Sequence, residues 1–224
     1  MGARGTNRHL GASAAGLKVH TRVLTRRQLS VLRRLRPFLR QSPFYLGGGT
    51  ALALQLGHRR SVDFDWFRQL PIPDPLRLAS EIGSAGVELV VDRTEKGTLH
   101  GTVGGVRVSF LEYRYRLLRP LLDKGAGLRV ASLEDIACMK LAAVAQRGSK
   151  KDFVDLYALG RVFSLKEMLR LYRRKYGVSD PGHLFFALSF FDDADSERMP
   201  TMLRSWTWAA IKNTIRGWVS ETAR

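Results

Sequence analysis

Two aspartates separated by one residue, Asp63 and Asp65, stand among apolar side chains in the segment Val62–Phe67. Side chains alternate across a β-strand, so both carboxylates should lie on one face while Phe64 turns into the core. Adjacent carboxylates can bind a divalent cation such as Mg²⁺ or Mn²⁺, and without one the two charges would cost stability between apolar neighbours. We therefore predict that Asp63 and Asp65 are metal ligands. The alternative is a pair of exposed strand carboxylates.

A run of three glycines, Gly47 to Gly49, precedes Thr50 and a short apolar helix pattern that Gly57 ends. Glycine lets the backbone approach a ligand closely, and the amides at a helix N-terminus favour an anion. A phosphate and its metal ion are therefore expected to meet between this loop and the aspartates. The alternative is a tight turn in which Thr50 is only the helix N-cap.

These residues follow a fixed order: Gly48-Gly49-Thr50, a short helix, Gly57-His58-Arg59-x-Ser61, then Asp63-x-Asp65. The order resembles the nucleotidyltransferase superfamily of DNA polymerase β, and more closely its AbiEii/AbiGii toxin-type branch. The segment from Asp135 through Lys140 and Arg147 to Asp155 is similar to the second conserved block of that branch. The resemblance covers roughly residues 40 to 160.

The resemblance implies nucleotidyl transfer, in which a hydroxyl attacks the α-phosphate of a nucleoside triphosphate and pyrophosphate leaves. Bound Mg²⁺ or Mn²⁺ would neutralise charge on the leaving group. The candidate catalytic residues are Asp63, Asp65, Lys140 and Asp152. The candidate nucleotide-binding residues are Gly48, Gly49, Thr50, Arg60, Ser61, Lys140 and Arg147.

Two cations and a carboxylate in the second block have alternative roles. Lys140 and Arg147 are seven residues apart on a predicted helix, so they share a face, as a clamp for the β- and γ-phosphates requires. A lysine that snorkels at the helix edge is the alternative. Asp152 fits a capping box with Ser149, whereas the resemblance implies an active-site role, and the two are compatible. Asp155 is expected to support the site from behind or to be structural.

The turn before the aspartates carries three basic residues. His58 is expected to fix the turn by hydrogen bonding rather than to bind a metal. Of Arg59 and Arg60, one is expected to approach the triphosphate and the other to lie on the surface, and Arg60 is our candidate for the first role.

One departure from the superfamily concerns the third carboxylate that polymerase-β-like enzymes generally place on a neighbouring strand. The segment Val106–Tyr113 offers Ser109 at that position. Glu112 has the opposite parity and should face away. Either a bulge brings Glu112 in, or Asp152 serves instead, or the site works with two carboxylates.

The net charge of +17 indicates an anionic partner, either nucleic acid or an acidic antagonist protein. Twelve Arg and Lys but no Asp or Glu precede Asp63, so the excess lies in the first quarter of the chain. A solvated basic tail is the alternative. The single cysteine, Cys138, fits a reduced, cytoplasmic setting, and no apolar run is long enough for a membrane helix.

The expected fold is α/β (α+β), with a mixed sheet of about five strands followed by helices. We divide the chain into a flexible basic N-terminus (1–22), a nucleotidyltransferase core (23–130) and a helical lobe that completes the site (131–224). Thr25 should N-cap an arginine-rich helix that Pro37 ends or kinks. Strands are expected around Leu46 and Val62 and over 87–91, 98–103 and 106–113, the last two joined as a hairpin at Gly104-Gly105.

The main hypothesis is a metal-dependent nucleotidyltransferase that modifies RNA. The resemblance implies a toxin of a toxin–antitoxin or phage-defence pair, with a cognate antitoxin protein, and some relatives act on the 3′ end of tRNA. A basic N-terminal quarter suits an RNA acceptor. One alternative is a binding module of the same fold that lost turnover with the third carboxylate. Another is a metal-dependent nuclease that uses the same aspartates but leaves the glycine loop idle.

Overall fold

The computed structural model describes residues 20–125 and 127–223. The helices are α1 Arg26–Gln41, α2 Gly48–Leu56, α3 Pro75–Ser84, α4 Leu133–Gln146, α5 Lys150–Leu159, α6 Leu165–Tyr176, α7 Gly182–Ser189, α8 Asp192–Asp195 and α9 Trp208–Thr222. The strands are β1 Tyr45–Leu46, β2 Phe64–Arg68, β3 Val90–Glu95, β4 Thr98–Val103, β5 Val106–Glu112, β6 Leu122–Asp123 and β7 Arg129–Val130. The predicted α/β class, with a sheet-based first half and a helical second half, is confirmed.

The strands form one mixed sheet in the order β3-β4-β5-β2-β1-β7-β6. β2 pairs with β5 in parallel and with β1 antiparallel. The sheet has seven strands rather than about five, because β6 and β7 are two-residue strands that join its far edge. Such short strands carry no periodic signal in the sequence.

The two faces of the sheet have different roles. Phe64, Trp66 and Phe110 are fully buried on one face, where Phe38 of α1 meets the Phe110 ring edge-on at 5.8 Å. Asp65 and Ser109 alternate with these residues and are only half-buried. Period-two alternation therefore fills the core from one side of each strand and leaves polar groups on the other.

Several helix boundaries follow from the sequence and others do not. Thr25 caps α1 through a reciprocal capping box with Gln28, as its type predicts. Pro37 was predicted to end or kink α1, and the first of these alternatives is wrong, since the helix continues to Gln41. Pro37 is exposed, so the carbonyl that loses its partner can bond to water.

The alternative in which Thr50 is the N-cap of α2 is also wrong. The helix begins at Gly48, with Gly47 as its cap residue, so Thr50 is inside the first turn and is not the N-cap. The strand expected at 87–91 begins at Val90. Of the basic N-terminus predicted to be flexible, residues 1–19 lie outside the described residues, while the backbone amide of His20 donates to Leu54 O at 2.8 Å.

The helical half is joined to the sheet through α4, which packs on α2, α5, α6 and α7. Ser132 caps α4. The buried Asp135 in its first turn accepts hydrogen bonds from Ser132 Oγ at 2.7 Å, Lys175 Nζ at 2.7 Å and Leu118 N at 3.0 Å. This carboxylate therefore ties α4 to α6 and to the chain that leaves β5.

Gly160, where α5 ends, is expected to reject any side chain. A Cβ there would lie 2.0 Å from the ring of Trp218 on α9, and a rigid indole cannot move aside cheaply. Gly160→Ala should lower the free energy of unfolding by about 1–3 kcal/mol in urea titrations. The control Gly217→Ala, on α9 with nothing within 4 Å, should raise it by about 0.5–1 kcal/mol. Equal effects of the two changes would contradict the packing described.

Candidate active site

The acidic strand and the glycine loop lie side by side. Gly47 N donates to Asp65 O at 3.0 Å, which fixes the loop to β2. Gly48 has a φ of +62°, and a Cβ on it would lie 3.0 Å from Asp65 Oδ2. Glycine is therefore needed at position 48 for both its backbone conformation and its closeness to the carboxylate. Gly48 and Gly49 are the first residues of α2, where amides have no partner within the helix.

The Asp65 carboxylate is in an environment that disfavours its charge. Burial raises its pKa, and the nearby charge of Asp63 acts in the same direction, while Lys140 and Lys151 oppose the shift. Ser109, which is paired with Asp65 across β2 and β5, lowers the pKa of Asp65 and so also favours the ionised form. A bound cation would relieve this unfavourable charge.

Asp63 precedes β2 and points its carboxylate toward β5. Arg107 Nε donates to Asp63 Oδ1 at 2.9 Å, and Arg107 Nη2 donates to Oδ2 at 3.1 Å. The arginine side chain is 72% exposed, so a cation would compete with a solvated partner rather than with a buried one.

Two hydroxyls predicted to touch the nucleotide are engaged within the protein. Thr50 is buried, and its hydroxyl donates to the Asp63 carbonyl and lies 2.7 Å from Ser61 Oγ. Ser61 O in turn accepts from Gln28 of α1 at 2.8 Å. Thr50 and Ser61 therefore stabilise the loop that leads into the strand with the aspartates.

Arg59 and Arg60 point in different directions. Arg60 is exposed and its amide donates to Thr201 O, whereas Arg59 is buried and lies against the glycine loop. A Cβ on Gly49 would be 2.5 Å from Arg59 Nη2. Of the two arginines, Arg59 rather than our candidate Arg60 lies beside the glycines, and Arg60 lies on the surface.

A buried ion network lies behind the loop. Lys140 Nζ is 2.8 Å from Asp152 Oδ1 and 2.6 Å from Asp155 Oδ2. Arg59 Nε lies 2.6 Å and His58 Nε2 2.8 Å from Asp155 Oδ1. His58 therefore makes the expected hydrogen bond, although its partner is Asp155 on α5. Asp155, expected to be supporting or structural, joins the turn, α4 and α5.

Lys140 and Arg147 converge on Asp152, although only Lys140 lies within α4 and Arg147 is the residue that follows its last turn. Arg147 Nε donates to Asp152 Oδ2 at 2.9 Å. Ser149 Oγ donates to the same oxygen at 2.6 Å, but Ser149 makes no side-chain cap bond to the backbone, so the predicted capping box is absent. Burial alone would lower the pKa of Lys140, and Asp155 and Asp152 outweigh it and raise that pKa.

Because of this network, the free energy of unfolding should depend on pH in the acid range. Burial alone would raise the pKa of Asp152, but Lys140 and Arg147 outweigh it and lower that pKa to about 2. The stability from Asp152 is therefore complete above the ordinary aspartate pKa of about 3.9 and is lost as the pH falls through about 2. This loss amounts to about 2 kcal/mol.

Arg147→Gln tests this account without removing a buried group. It should move the acid loss of stability to higher pH in urea titrations between pH 5 and pH 2. The control is Arg161→Gln, which changes an exposed arginine in the turn after α5. It should leave the pH dependence of stability unchanged. Identical profiles for wild type and Arg147→Gln would contradict the pairing with Asp152.

A row of three polar side chains crosses the open face of the sheet. Ser109 is paired with Asp65 of β2 and with His100 of β4. His100 Nδ1 lies 3.0 Å from Ser109 Oγ. Glu112 faces elsewhere, since its carboxylate accepts from Ile72 N at 2.8 Å. The bulge that would bring Glu112 to the site is therefore absent.

Sequence reasoning missed His100 as a site residue, although a signal was present. A two-residue turn at Gly104-Gly105 pairs residues whose numbers sum to the same value, which aligns His100 with Ser109. The pairing of Arg59 with Asp155 was not predicted either, because no local pattern links two residues so far apart in sequence.

No group of three or more His, Cys, Asp or Glu side chains in residues 20–125 and 127–223 is arranged to hold a metal ion. Mg²⁺ commonly takes one or two protein carboxylates and completes its shell with water and substrate phosphates. Asp63 and Asp65, one of them strongly desolvated, fit that donor set. No helix within the same residues is long and apolar enough to cross a membrane.

Comparison with known proteins gives a consistent result. A family model described as "Nucleotidyl transferase AbiEii toxin, Type IV TA system" matches residues 30–214. The chain is 42% identical over 158 residues to the uncharacterized protein aq_aa25 of Aquifex aeolicus, a match that covers 69% of this chain and 76% of that protein.

Two solved structures are similar in fold. MenT4, a nucleotidyltransferase toxin from Mycobacterium tuberculosis, superposes with a TM-score of 0.58 at 16% identity, covering 87% of this chain and 82% of MenT4. JHP933 from Helicobacter pylori gives a TM-score of 0.54 at 18% identity, covering 88% of this chain and 92% of JHP933.

Proposed function

Because the chain belongs to the AbiEii nucleotidyltransferase toxin family, we propose that it transfers a nucleoside monophosphate from a triphosphate to RNA with the aid of a divalent cation. The observation that carries this proposal is the closeness of the glycine loop to the Asp65 carboxylate, since a Cβ on Gly48 would lie 3.0 Å from Asp65 Oδ2. It puts a helix N-terminus that favours phosphate beside a carboxylate that favours a cation.

Asp63 and Asp65 would hold Mg²⁺ or Mn²⁺, which when bound neutralises charge on the phosphates. The amides of Gly48 and Gly49 would orient the triphosphate. Arg59 and Lys140 are buried next to this loop and supply fixed positive charge, although both are already paired with Asp155. Arg59 and Lys140 would therefore stabilise bound phosphates through their long-range electrostatic field, which is stronger in a desolvated site.

Arg60, Arg147 and Ser61 remain proposed nucleotide contacts. Arg60 is exposed, so its side chain is free to move toward a bound phosphate. The Arg147 side chain is 60% exposed and reaches Asp152 from the solvent side, which supports a role at the rim of the site. Asp152, bonded by Lys140 and Arg147, is proposed to position both cations rather than to bind the metal.

An RNA acceptor, with the tRNA 3′ end as the proposed target, is supported by the charge of α1. Its six arginines are exposed and it carries no acid: Arg26, Arg27, Arg33, Arg34, Arg36 and Arg40. The first turn of this helix adjoins the site, because Gln28 bonds Ser61 O. Arginines that contact phosphates supply affinity for RNA of any sequence.

As a toxin of this family, the protein is proposed to act in the cytoplasm and to be restrained by a cognate antitoxin. The second candidate function is a nucleotide-binding module without turnover, favoured by Ser109 where a third carboxylate was expected. Calorimetry separates the two, since triphosphate binding without pyrophosphate release supports the module.

The direct test supplies the protein with Mg²⁺, each α-labelled nucleoside triphosphate in turn, and tRNA. The expected result is labelled RNA with at least one triphosphate, and no label when the tRNA 3′ end has been oxidised. Absence of label on RNA with all four triphosphates would overturn the RNA-acceptor proposal, and shortened RNA would support the nuclease instead.

A further inference from the structure

Asp65, Ser109 and His100 form the row of polar side chains on the open face of the sheet. Their order determines which ring nitrogen of His100 carries a proton. Asp65 must be ionised to hold a cation, and an ionised carboxylate only accepts hydrogen bonds. Ser109 is paired with Asp65 across β2 and β5, so its single hydroxyl proton is placed to donate to that carboxylate. The Ser109 oxygen is then left to accept from its other partner, His100.

His100 Nδ1 lies 3.0 Å from Ser109 Oγ and must be the donor in that bond. A neutral imidazole carries one N–H, so its Nε2 is left as an unprotonated acceptor. None of the hydrogen bonds found among residues 20–125 and 127–223 involves Nε2, and the ring is half-buried rather than enclosed. The row thus presents a basic nitrogen on the same face as the carboxylate pair.

We propose that His100 is the general base of the transfer reaction and that Ser109 positions it. The inference deepens the proposed function and rests on its hydroxyl acceptor. The acceptor O–H proton moves to His100 Nε2, and the oxygen forms the new bond to the α-phosphorus. The bond from that phosphorus to the bridging oxygen breaks, and its electron pair leaves with pyrophosphate. The imidazolium then returns its proton to water.

The surroundings of His100 suit this role. Its cross-strand neighbour on β3 is the exposed Arg93, which bonds Glu95 rather than the ring. Arg107, two residues from Ser109 on β5, is bonded to Asp63. Within the described part of the chain no carboxylate is bonded to the imidazole, and Ser109 lies between it and Asp65 across the sheet. A serine alone at this position cannot accept a proton near neutral pH, whereas the Ser109–His100 pair can.

The first test does not require the protein to be active as an enzyme. Two-bond ¹H–¹⁵N NMR spectra of the histidine-labelled enzyme should show neutral His100 with the proton on Nδ1, the less common tautomer, and Ser109→Ala should restore the Nε2–H form. A wild-type ring protonated on Nε2 would overturn the inference. Because the spectrum is recorded without substrate, it stands even if no RNA acceptor is found.

The second test compares transfer rates. His100→Asn keeps a donor toward Ser109 but has no basic nitrogen, so the rate should fall about 100-fold or more while triphosphate affinity stays unchanged. His100→Asn combined with Ser109→Asp should recover at least about tenfold, since a carboxylate replaces the base. The control His183→Asn, on α7 beside Tyr172, should transfer at the wild-type rate. A wild-type rate for His100→Asn, or an equal loss of triphosphate affinity, would overturn the proposal.

Discussion

Asp65→Asn is expected to lower the nucleotidyl transfer rate about 1,000-fold, a loss of about 4 kcal/mol of transition-state stabilisation. The asparagine keeps the shape of the side chain but carries no charge to hold a cation. Asp65 is the carboxylate that lies against the glycine loop, and only Asp63 of the proposed pair of ligands would remain charged.

The same change should leave the fold intact or stabilise it. Burial raises the pKa of Asp65, which means that its charged form is disfavoured in the folded chain. A group whose folded pKa is raised is destabilising when ionised at neutral pH, so its neutral analogue should raise the unfolding midpoint. Loss of rate with gain of stability is the signature of a functional carboxylate.

Transfer rate and urea midpoint, measured on the same preparations, check both halves of this prediction. Asp192→Asn is the matched control, because Asp192 is exposed on the short α8. It should change neither quantity. An Asp65→Asn enzyme that keeps a tenth or more of the wild-type rate would exclude Asp65 as a required ligand.

Asp155→Asn is expected to lower the free energy of unfolding by about 3–5 kcal/mol. Asp155 is fully buried and lies within 2.8 Å of polar atoms of His58, Arg59 and Lys140. Burial alone would raise its pKa, yet Lys140 and Arg59 hold that pKa well below its ordinary value. Removing this one charge leaves two buried cations with a single remaining carboxylate, Asp152.

A double-mutant cycle separates the loss of a pair from the loss of a side chain. Lys140→Met alone leaves Asp152 and Asp155 without their shared cation and should also destabilise strongly. Lys140→Met combined with Asp155→Asn should cost less than the sum of the single changes, since each removes a charge that the other leaves unpaired. Additive costs would contradict a coupled network.

The glycine loop, the aspartate strand and the hairpin were predictable because each is a local pattern. The parity of Ser109 and Glu112 correctly placed one toward the site and the other away. The helix N-caps at Thr25, Ser132 and Ser164 are likewise predictable from the sequence, because a cap involves only residues within one turn.

The ion network was not predictable in the same way. Asp155 meets Arg59 across a separation of 96 residues, and nothing in either local sequence sets which arginine of the pair turns inward. The hydrogen-bond partners of Thr50 were not predictable for a related reason. Its hydroxyl type suited either a phosphate or a helix cap, while the actual partners, Ser61 and the Asp63 carbonyl, are brought to it by the return of the chain into β2.

The central claim is that one site holds a divalent cation and a triphosphate together, and calorimetric binding of a nucleoside triphosphate tests it most directly. The wild type should bind at least about tenfold more tightly with Mg²⁺ than with a chelator, a difference of about 1.4 kcal/mol, and Asp65→Asn should show no such difference. Equal affinity of the wild type in the two conditions, or an undiminished Mg²⁺ effect in Asp65→Asn, would contradict the account.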